Sequence, residues 1–301
     1  MKLRFRTMAA WCVAMFAVMA TYGVMNSVVA NDVTNDAPAK IRALIVDGQN
    51  NHNWQETTPI LKDLYEKSGR FTVDVATSPE PGGDFSTFKP AFEKYDVVVM
   101  NYTGDDWSAE TKEAFEKYVS NGGRVVIYHA ANNAFPDWPA YNRICALGGW
   151  GGRDEKSGPY LYLNDTGEEI RDTTPGHGGG HGPQWAYTMD VRLPEHPIMK
   201  GLPSKIQHVP DELYEKMRGP AEKVTILATA YADPDHGGSG RHEPQIMLID
   251  YGKGRIFHLM PGHAGVQCLS PSFYLPLLRG TEWIVAEQVS IPTDYVHPTE
   301  K

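Results

Sequence analysis

Runs of consecutive apolar residues alternate with amphipathic segments through the first half of this chain. The runs at 43–46, 97–100 and 125–127 consist of Ala, Leu, Ile, Val and Met, and segments with one apolar face separate them. A strand covered on both faces needs such a continuous run. Strand and helix in alternation are typical of a parallel sheet with right-handed crossovers. The sequence therefore predicts an α/β fold with a mostly parallel sheet.

Glycines, capping residues and apolar periodicity delimit the individual elements. Strands are predicted at 41–47, 71–77, 95–102, 125–127, 211–214, 224–231, 245–251 and 255–260, and helices at 56–67, 109–120, 138–147 and 273–285. Gly252-Lys253-Gly254 joins the last two strands as an antiparallel pair. Residues 148–190 are rich in glycine and histidine and are predicted to form a long insertion at the carboxyl edge of the sheet.

A histidine follows the fourth predicted strand. Gly122 and Gly123 permit a tight turn, residues 125–127 form the strand, and His129 stands at its carboxyl end. Ligands of open α/β sheets bind just beyond the carboxyl ends of the strands. His129 is therefore a candidate functional residue. The alternative is a core histidine that is hydrogen-bonded to a neighbouring loop.

The first 30 residues have the pattern of a signal peptide. Lys2, Arg4 and Arg6 precede an apolar run at 8–24, and cleavage is predicted after the small residue Ala30. An uncleaved membrane anchor is the alternative. The pattern predicts a periplasmic or secreted protein with no stable membrane insertion after cleavage. Residues 31–40 are predicted to be a disordered leader, residues 41–290 the folded domain, and residues 291–301 a tail.

The net charge of the chain excludes some partners. The formal charge is −9, and loss of Lys2, Arg4 and Arg6 with the signal peptide brings it to −12 (−9 − 3). An acidic protein is a poor ligand for nucleic acid or for anionic membrane surfaces. Cys145 and Cys268 remain after cleavage, and export permits a disulfide, but their spacing leaves the pairing open.

Several common catalytic motifs are absent from the sequence. No Gly-x-Gly-x-x-Gly follows the first strand, and no Gly-x-x-x-x-Gly-Lys-Ser/Thr occurs, which argues against nucleotide binding by those loops. No Gly-x-Ser-x-Gly or Gly-x-Cys-x-Gly occurs either. His129 occupies the position of the nucleophile in such an elbow, so acyl transfer to serine or cysteine has no nucleophile there.

Histidine is the residue type that points most directly to chemistry. His52, His129 and His263 each follow a predicted strand end. Imidazole acts as a base, an acid or a metal ligand. One hypothesis is a divalent metal site with His129, His263 and Glu212 as candidate ligands. The other is metal-free acid–base catalysis. His177 and His181 lie between glycines, which favours a solvated loop for that pair.

Tryptophans in predicted loops indicate a second feature of the site. Five of them lie in or beside loops: Trp54, Trp107, Trp138, Trp150 and Trp185. An aromatic face at the mouth of a pocket suits the apolar C–H face of a sugar ring. The five together favour a carbohydrate pocket, whereas each of them alone is explained by packing within its own loop.

Six short motifs occur in an order that resembles the ThuA-like (trehalose-utilisation) family, over roughly residues 41–290. The motifs are Gly122-Gly123-Arg124-Val125-Val126-Ile127-Tyr128-His129-Ala130-Ala131, Trp138-Pro139-Ala140-Tyr141, His196-Pro197-Ile198, Asp211-Glu212-Leu213-Tyr214, Tyr251-Gly252-Lys253-Gly254-Arg255 and Gly262-His263, followed by Arg279-Gly280 and Trp283 in the closing helix. The resemblance implies a class I glutamine-amidotransferase-like fold without the amidotransferase cysteine, that is, a flavodoxin-like three-layer sandwich with an antiparallel C-terminal part.

The resemblance also implies a role in the breakdown of disaccharides or glycosides, alongside oxidoreductases that make 3-keto sugars. By position in the family motifs, the shared pocket contains His129, His196, Asp211, Glu212 and His263. The chain departs from the family pattern in the insertion at 148–190. It also has Gln-Ile-Met at 245–247, where many relatives have Pro-Val-Ala-Trp.

These observations predict an exported enzyme, a lyase, hydrolase or isomerase, that acts on a glycoside or its 3-keto derivative. A ketone acidifies the neighbouring C–H, which a histidine base can then deprotonate. His129 is assigned as base or ligand, His263 as its partner, and Glu212 as orienting group or acid. The predicted substrate-binding residues are His52, Trp54, Asn101, Trp138, His196 and Asp211. The alternatives are a non-catalytic sugar-binding protein of the envelope and a metal-dependent hydrolase.

Overall fold

The computed structural model describes residues 39–298, which form a mixed sheet with helices on both faces. The strands are β1 Ile41–Asp47, β2 Phe71–Thr77, β3 Val97–Met100, β4 Arg124–Tyr128, β5 Tyr160–Leu163, β6 Glu169–Asp172, β7 Thr188–Val191, β8 Lys205–Gln207, β9 Val224–Tyr231, β10 His242–Tyr251 and β11 Gly254–Leu259. The helices are α1 Trp54–Lys67, α2 Ala109–Ser120, α3 Pro139–Cys145, α4 Gly265–Cys268 and α5 Pro271–Ala286. The predicted signal peptide at 1–30, and residues 31–38 of the predicted leader, lie outside this range.

Five parallel strands form one half of the sheet, in the order β2-β1-β3-β4-β11. This is the flavodoxin-like order, with β11 in the fifth position. β11 reaches that position as the second strand of an antiparallel hairpin with β10, and β9, β7 and β8 continue the antiparallel half. The predicted α/β sandwich, with a parallel part and an antiparallel C-terminal part, is confirmed.

Alternate residues of each parallel strand contact different helices. In β1, Ala43 and Ile45 pack in a cluster that contains side chains of α1 and α5, whereas Leu44 and Val46 pack in one that contains side chains of α2 and α3. The result is three layers. Cys268 belongs to the first cluster and Cys145 to the second, and both are free thiols. They form no disulfide with each other.

The segment at 211–214 is not the strand that its sequence predicts. Residues 208–215 run extended, but they pair with the insertion only through two isolated bridges, Trp185 with Asp211 and Gly180 with Glu215. The backbone N–H of Glu212 donates instead to the side chain of Asp211. The buried carboxylate of Asp211 thus accepts a backbone N–H group that would otherwise donate to a neighbouring strand.

The insertion at 148–190 is more regular than its composition suggests. It contains the hairpin β5–β6, and β5 pairs with the start of β10 through Leu163 and His242. Glycine-rich residues that follow the hairpin lie against residues 215–218, with Gly179 N–H donating to the carbonyl of Lys216. The insertion is therefore attached to the antiparallel half of the sheet. It extends to the carboxyl edge of the parallel half.

Arg279 of α5 holds two chain segments against the sandwich. It is 5% exposed, and its guanidinium donates to the carbonyl oxygens of Pro197, Ile198, Lys200 and Ile291 at 2.5–2.9 Å. This single side chain explains why His-Pro-Ile and Arg-Gly occur together among the sequence motifs. The chain after 290 also packs on the domain, because Ile291 and His297 are buried.

Within residues 39–298, no helix combines the length and the apolar character that crossing a membrane requires.

We expect Arg279→Met to lower the free energy of unfolding by about 2–4 kcal/mol, because it leaves buried carbonyl groups without donors. Arg42→Met is the matched control, since Arg42 forms a largely exposed pair with Asp96 and its loss is expected to change the stability much less. Urea denaturation of both variants measures the difference. Equal effects would contradict the role given to Arg279.

A buried carboxylate at the start of β10 makes stability depend on pH. Glu243 is 1% exposed, and the hydroxyl of Ser239 donates to it at 2.8 Å. Burial raises the pKa of Glu243 from 4.5 to about 7. The folded state therefore holds this proton more tightly than the unfolded chain does. The stability that results is complete below about pH 4.5 and is lost as the pH rises to about 7.

Glu243→Gln carries no charge at any pH and removes this dependence. We expect the free energy of unfolding of the variant, minus that of the wild type, to be larger at pH 8 than at pH 5. Urea denaturation of both proteins at both pH values measures this difference. The same stability difference at both pH values would mean that Glu243 ionises at an ordinary pKa in the folded protein.

Candidate functional site

His129 occupies a strained position at the carboxyl end of β4. It has φ 45°, in the left-handed region that a non-glycine residue rarely adopts, and it begins a 3₁₀ turn that extends to Asn133. Its Nδ1 lies 2.6 Å from the carbonyl oxygen of Met260, just past the end of β11. A carbonyl only accepts, so Nδ1 carries the proton and Nε2 presents a lone pair. The backbone and Met260 together point that lone pair away from the core.

Three more ionisable side chains converge on the lone pair of His129. His52 comes from the loop after β1, Glu212 from the extended segment 208–215, and His263 from the loop after β11. Glu212 Oε2 lies 3.7 Å from His129 Nε2, and Glu212 Oε1 lies 3.1 Å from His263 Nδ1. Nitrogen or oxygen atoms of all four residues lie within 4.8 Å of one another. We call these four residues the histidine cluster.

Burial and neighbouring charge set the protonation of the histidine cluster. Burial lowers the pKa of His129, and burial together with the neighbouring His129 and His263 lowers the pKa of His52 to about 3. The carboxylate of Glu212 raises the pKa of His263. Burial raises the pKa of Glu212, but its contacts with His263 and His129 outweigh burial and leave it below the ordinary value. The environment thus favours the neutral form of His52 and His129 and the charged forms of Glu212 and His263.

Asp211 holds the backbone that carries two members of the cluster. Its side chain is fully buried, and it accepts the N–H groups of Glu212 at 2.8 Å, Gly262 at 2.7 Å and His263 at 3.2 Å. His208 Nε2 lies 2.8 Å from the same carboxylate. Burial raises the pKa of Asp211, but the hydrogen bond from His208 and the nearby His129 outweigh it and keep the pKa low. A buried anion therefore fixes Glu212 and His263 relative to each other.

Tyr214 lies over the histidine cluster. Its ring stacks on His129 with centroids 4.4 Å apart, and its hydroxyl lies 3.0 Å from His129 Nε2 and 3.3 Å from His52 Nε2. Gln245 donates its side-chain N–H to the carbonyl oxygen of Tyr214 at 3.0 Å. Gln245 is one of the residues that depart from the family pattern, and its amide supports the segment that carries Glu212.

A pocket of about 480 Å³ opens above the cluster. His52, Glu212 and Tyr214 lie in its floor and walls, together with the amides of Asn51 and Asn133. The insertion contributes Trp150, Gly151 and His181 to the opposite wall. The volume is within the range of about 300–1,000 Å³ that is usual for small-molecule sites. The polar lining with one indole face suits a ligand rich in hydroxyl groups.

The structure brings together His52, His129, Glu212 and His263, but two other predicted substrate-binding residues are buried beneath the site. Asp211 is 0% exposed and has no face open to a ligand. Asn101 is 1% exposed and donates to the hydroxyls of Thr57 and Thr58 at 3.1 and 3.0 Å, while its oxygen accepts from Asn50. Both residues position the loops that carry the histidines, and neither lines the pocket.

The remaining predicted substrate-binding residues lie away from the pocket. Trp138 is 8% exposed and packs against aromatic rings between β4 and α3, including Phe135 and Tyr141. Trp54 begins α1 and is not part of the pocket walls. His196 packs edge-on against Trp283, which contacts Arg255 at the opposite end of β11. Indole and imidazole rings pack readily in loops, so residue type alone did not separate these positions from the site.

Only one of the five loop tryptophans, Trp150, lines the pocket, so the expectation of a tryptophan-lined mouth is wrong. Trp107 belongs to the aromatic core, and Trp185 stacks on His236 at 4.2 Å between centroids.

Sequence reasoning missed Tyr214 and His181 as pocket residues. Tyr214 had a usable signal: residues two apart in an extended segment face the same side, so Tyr214 faces the same side as Glu212. The sequence gives no such signal for His181, because the flanking glycines do not fix which way its side chain points. Its Nε2 lies 3.8 Å from Glu212 Oε1, and its side chain is 36% exposed.

Comparison with known proteins gives consistent matches. A family model described as ThuA, trehalose utilisation, matches residues 42–284. A ThuA-like protein from Parabacteroides merdae ATCC 43184 is 49% identical, over 86% of this chain and 95% of that one, with a TM-score of 0.83. A ThuA-like protein from Bacteroides uniformis ATCC 8492 is 22% identical, over 87% of this chain and 98% of that one, with a TM-score of 0.58, which supports the fold alone. No curated protein sequence matches the chain.

We expect Asp211→Asn to lower the free energy of unfolding by about 2–4 kcal/mol, because the amide turns a donor towards backbone N–H groups that need an acceptor. Asp190→Asn is the control, since Asp190 forms a partly exposed pair with Lys205 that is worth about 1 kcal/mol or less. Urea denaturation compares the two variants. Wild-type stability of Asp211→Asn would contradict its role as the anchor of the site.

Proposed function

This chain belongs to the ThuA (trehalose utilisation) family, and we propose that it is an enzyme that acts on a glycoside or disaccharide, or on its 3-keto derivative. The convergence of the histidine cluster, of which His52 and Glu212 line the pocket, carries this proposal. Four ionisable groups that arrive from four separate chain segments form a reactive centre, whereas hydrogen bonding to sugar hydroxyls needs no such convergence.

The pocket has the chemistry that a sugar requires. Amide side chains of Asn51 and Asn133 offer donors and acceptors to hydroxyl groups, and the indole of Trp150 offers an apolar face to the ring. About 480 Å³ is room for a small saccharide together with water. The acidic charge of the chain, −9, is compatible with a neutral ligand.

We propose that the neutral Nε2 of His129 acts on the reacting carbon of the sugar. It does so either directly, as the base, or through a cation that it binds. In a 3-keto sugar the ketone acidifies the hydrogen on the adjacent carbon. Loss of that proton gives an enolate, which can expel the glycosidic oxygen at the next carbon as that oxygen takes up a proton. The adjacent pair of Glu212 and His263 supplies the charge and the proton that these two steps need.

We also propose that the protein is exported, on the basis of the charged and apolar pattern of residues 1–30. Trehalose and related sugars would then be met outside the cytoplasm.

The test is product analysis by NMR and mass spectrometry after incubation with trehalose, other glycosides and their 3-keto forms. We expect wild-type turnover of at least one of these sugars, and a decrease of about 100-fold or more in His129→Gln. His177→Gln is the control, because this exposed histidine of the insertion lies outside the pocket, and we expect it to keep wild-type turnover.

Two results would contradict the proposal. Saturable sugar binding without any change in the sugar would indicate a binding protein. Full turnover by His129→Gln would place the reaction outside the histidine cluster.

A further inference from the structure

We propose that His52, His129, Glu212 and His263 bind one divalent first-row transition-metal ion. The site uses the same residues as the proposed enzyme, but ion binding is measured without any sugar, so the two proposals fail separately. The ion would lie at the floor of the pocket, past the carboxyl ends of β1, β4 and β11.

The four side chains are already close to ligand geometry. Their nitrogen and oxygen atoms lie within 4.8 Å of one another, and the two carboxylate contacts measure 3.1 and 3.7 Å. An ion bound at about 2.1 Å to each ligand holds adjacent ligand atoms roughly 3 Å apart and opposite ones roughly 4.2 Å apart. The observed separations are of the same size as these ligand–ligand distances.

One buried polar atom of the cluster has no hydrogen-bond partner. Glu212 Oε2 is inaccessible to solvent and makes no hydrogen bond, and Glu212 is 8% exposed. Buried carboxylate oxygens are nearly always paired, because an unpaired one loses its hydration without compensation. His129 Nε2 lies 3.7 Å from this oxygen, and His263 Nδ1 lies 3.1 Å from the other oxygen of the same carboxylate. A cation bound among these atoms would satisfy the unpaired oxygen.

The residues around the cluster orient it as metal ligands are usually oriented. His129 donates its Nδ1 proton to the carbonyl oxygen of Met260, which leaves the lone pair of Nε2 to face the cluster. The Tyr214 hydroxyl lies 3.0 Å from this Nε2, and an ion would displace that contact. The backbone of Glu212 and that of His263 are both held by the carboxylate of Asp211. Gly262 has φ +116°, and a Cβ there would meet the rings of Tyr128 and Phe273, so only glycine allows the turn that presents His263.

The donor set selects the class of ion. Three imidazoles and one carboxylate suit Zn²⁺, Fe²⁺, Co²⁺ or Ni²⁺, whereas Mg²⁺ and Ca²⁺ prefer sites made only of oxygen ligands. The cluster also faces a pocket that admits a ligand, as catalytic metal sites do. Such an ion would act as a Lewis acid on a sugar oxygen. His129 would then be a ligand, and His181 is the imidazole that faces the same pocket from outside the cluster.

The experiment uses the full protein, stripped of metal with a chelator and dialysed. Titration with Zn²⁺ by calorimetry, and with Co²⁺ by visible absorption, measures stoichiometry and affinity. We expect one ion per chain, and affinities about 100-fold or more lower in Glu212→Gln and in His263→Gln. His177→Gln is the matched control, because His177 is an exposed histidine of the insertion that lies outside the pocket, and we expect its affinity to stay within about threefold of the wild type.

Thermal unfolding without metal shows whether each variant is folded, and a rise in Tm with Zn²⁺ in the wild type reports binding independently of calorimetry. Failure of the wild type to bind either ion stoichiometrically would overturn the proposal, as would binding that is unchanged in Glu212→Gln or equally lost in His177→Gln. Full sugar turnover by the chelated protein would show that the reaction needs no ion. Metal binding without sugar turnover would refute the proposed function alone.

Discussion

The buried carboxylate of Asp211 is the interaction on which the arrangement of the site depends. A charge inside a protein is tolerated only when donors surround it, and here the donors are three backbone N–H groups and His208. Those backbone groups belong to two loops that are about fifty residues apart in sequence. Satisfying one anion therefore places Glu212 beside His263, and a site that neither loop could define alone is assembled.

The sheet supplies the rest of the assembly. Parallel strands end at a common edge, so the loops after β1, β4 and β11 meet there although they are distant in sequence. His129 is directed by a strained backbone and by one hydrogen bond to Met260. His52 is held by a chain of amide contacts from Asn101 through Asn50. Buried polar groups thus orient the cluster, and His52 and Glu212 are its members that line the pocket.

Particular residues show how far the sequence could be interpreted. The strands β1, β2 and β9 have their predicted bounds, because glycine and polar residues end each apolar run sharply. His52, His129 and His263 follow strand ends, and their convergence at the site follows from the topology of a parallel sheet. Asp211 and Asn101 lie buried beneath the site, and polar residues close to a site in sequence either contact the ligand or support those that do. Sequence spacing does not distinguish the two.

The sequence by itself determined the α/β class, the parallel part of the sheet and the family, because these depend on local periodicity and on short motifs. Only the tertiary structure decided which side chains share the pocket. Trp138 entered the aromatic core, His196 went to the far end of the sheet, and the glycine-rich insertion brought Trp150 and His181 to the pocket wall. Such choices depend on long-range packing and on the pairing of buried polar groups, and neither has a periodic signature along the chain.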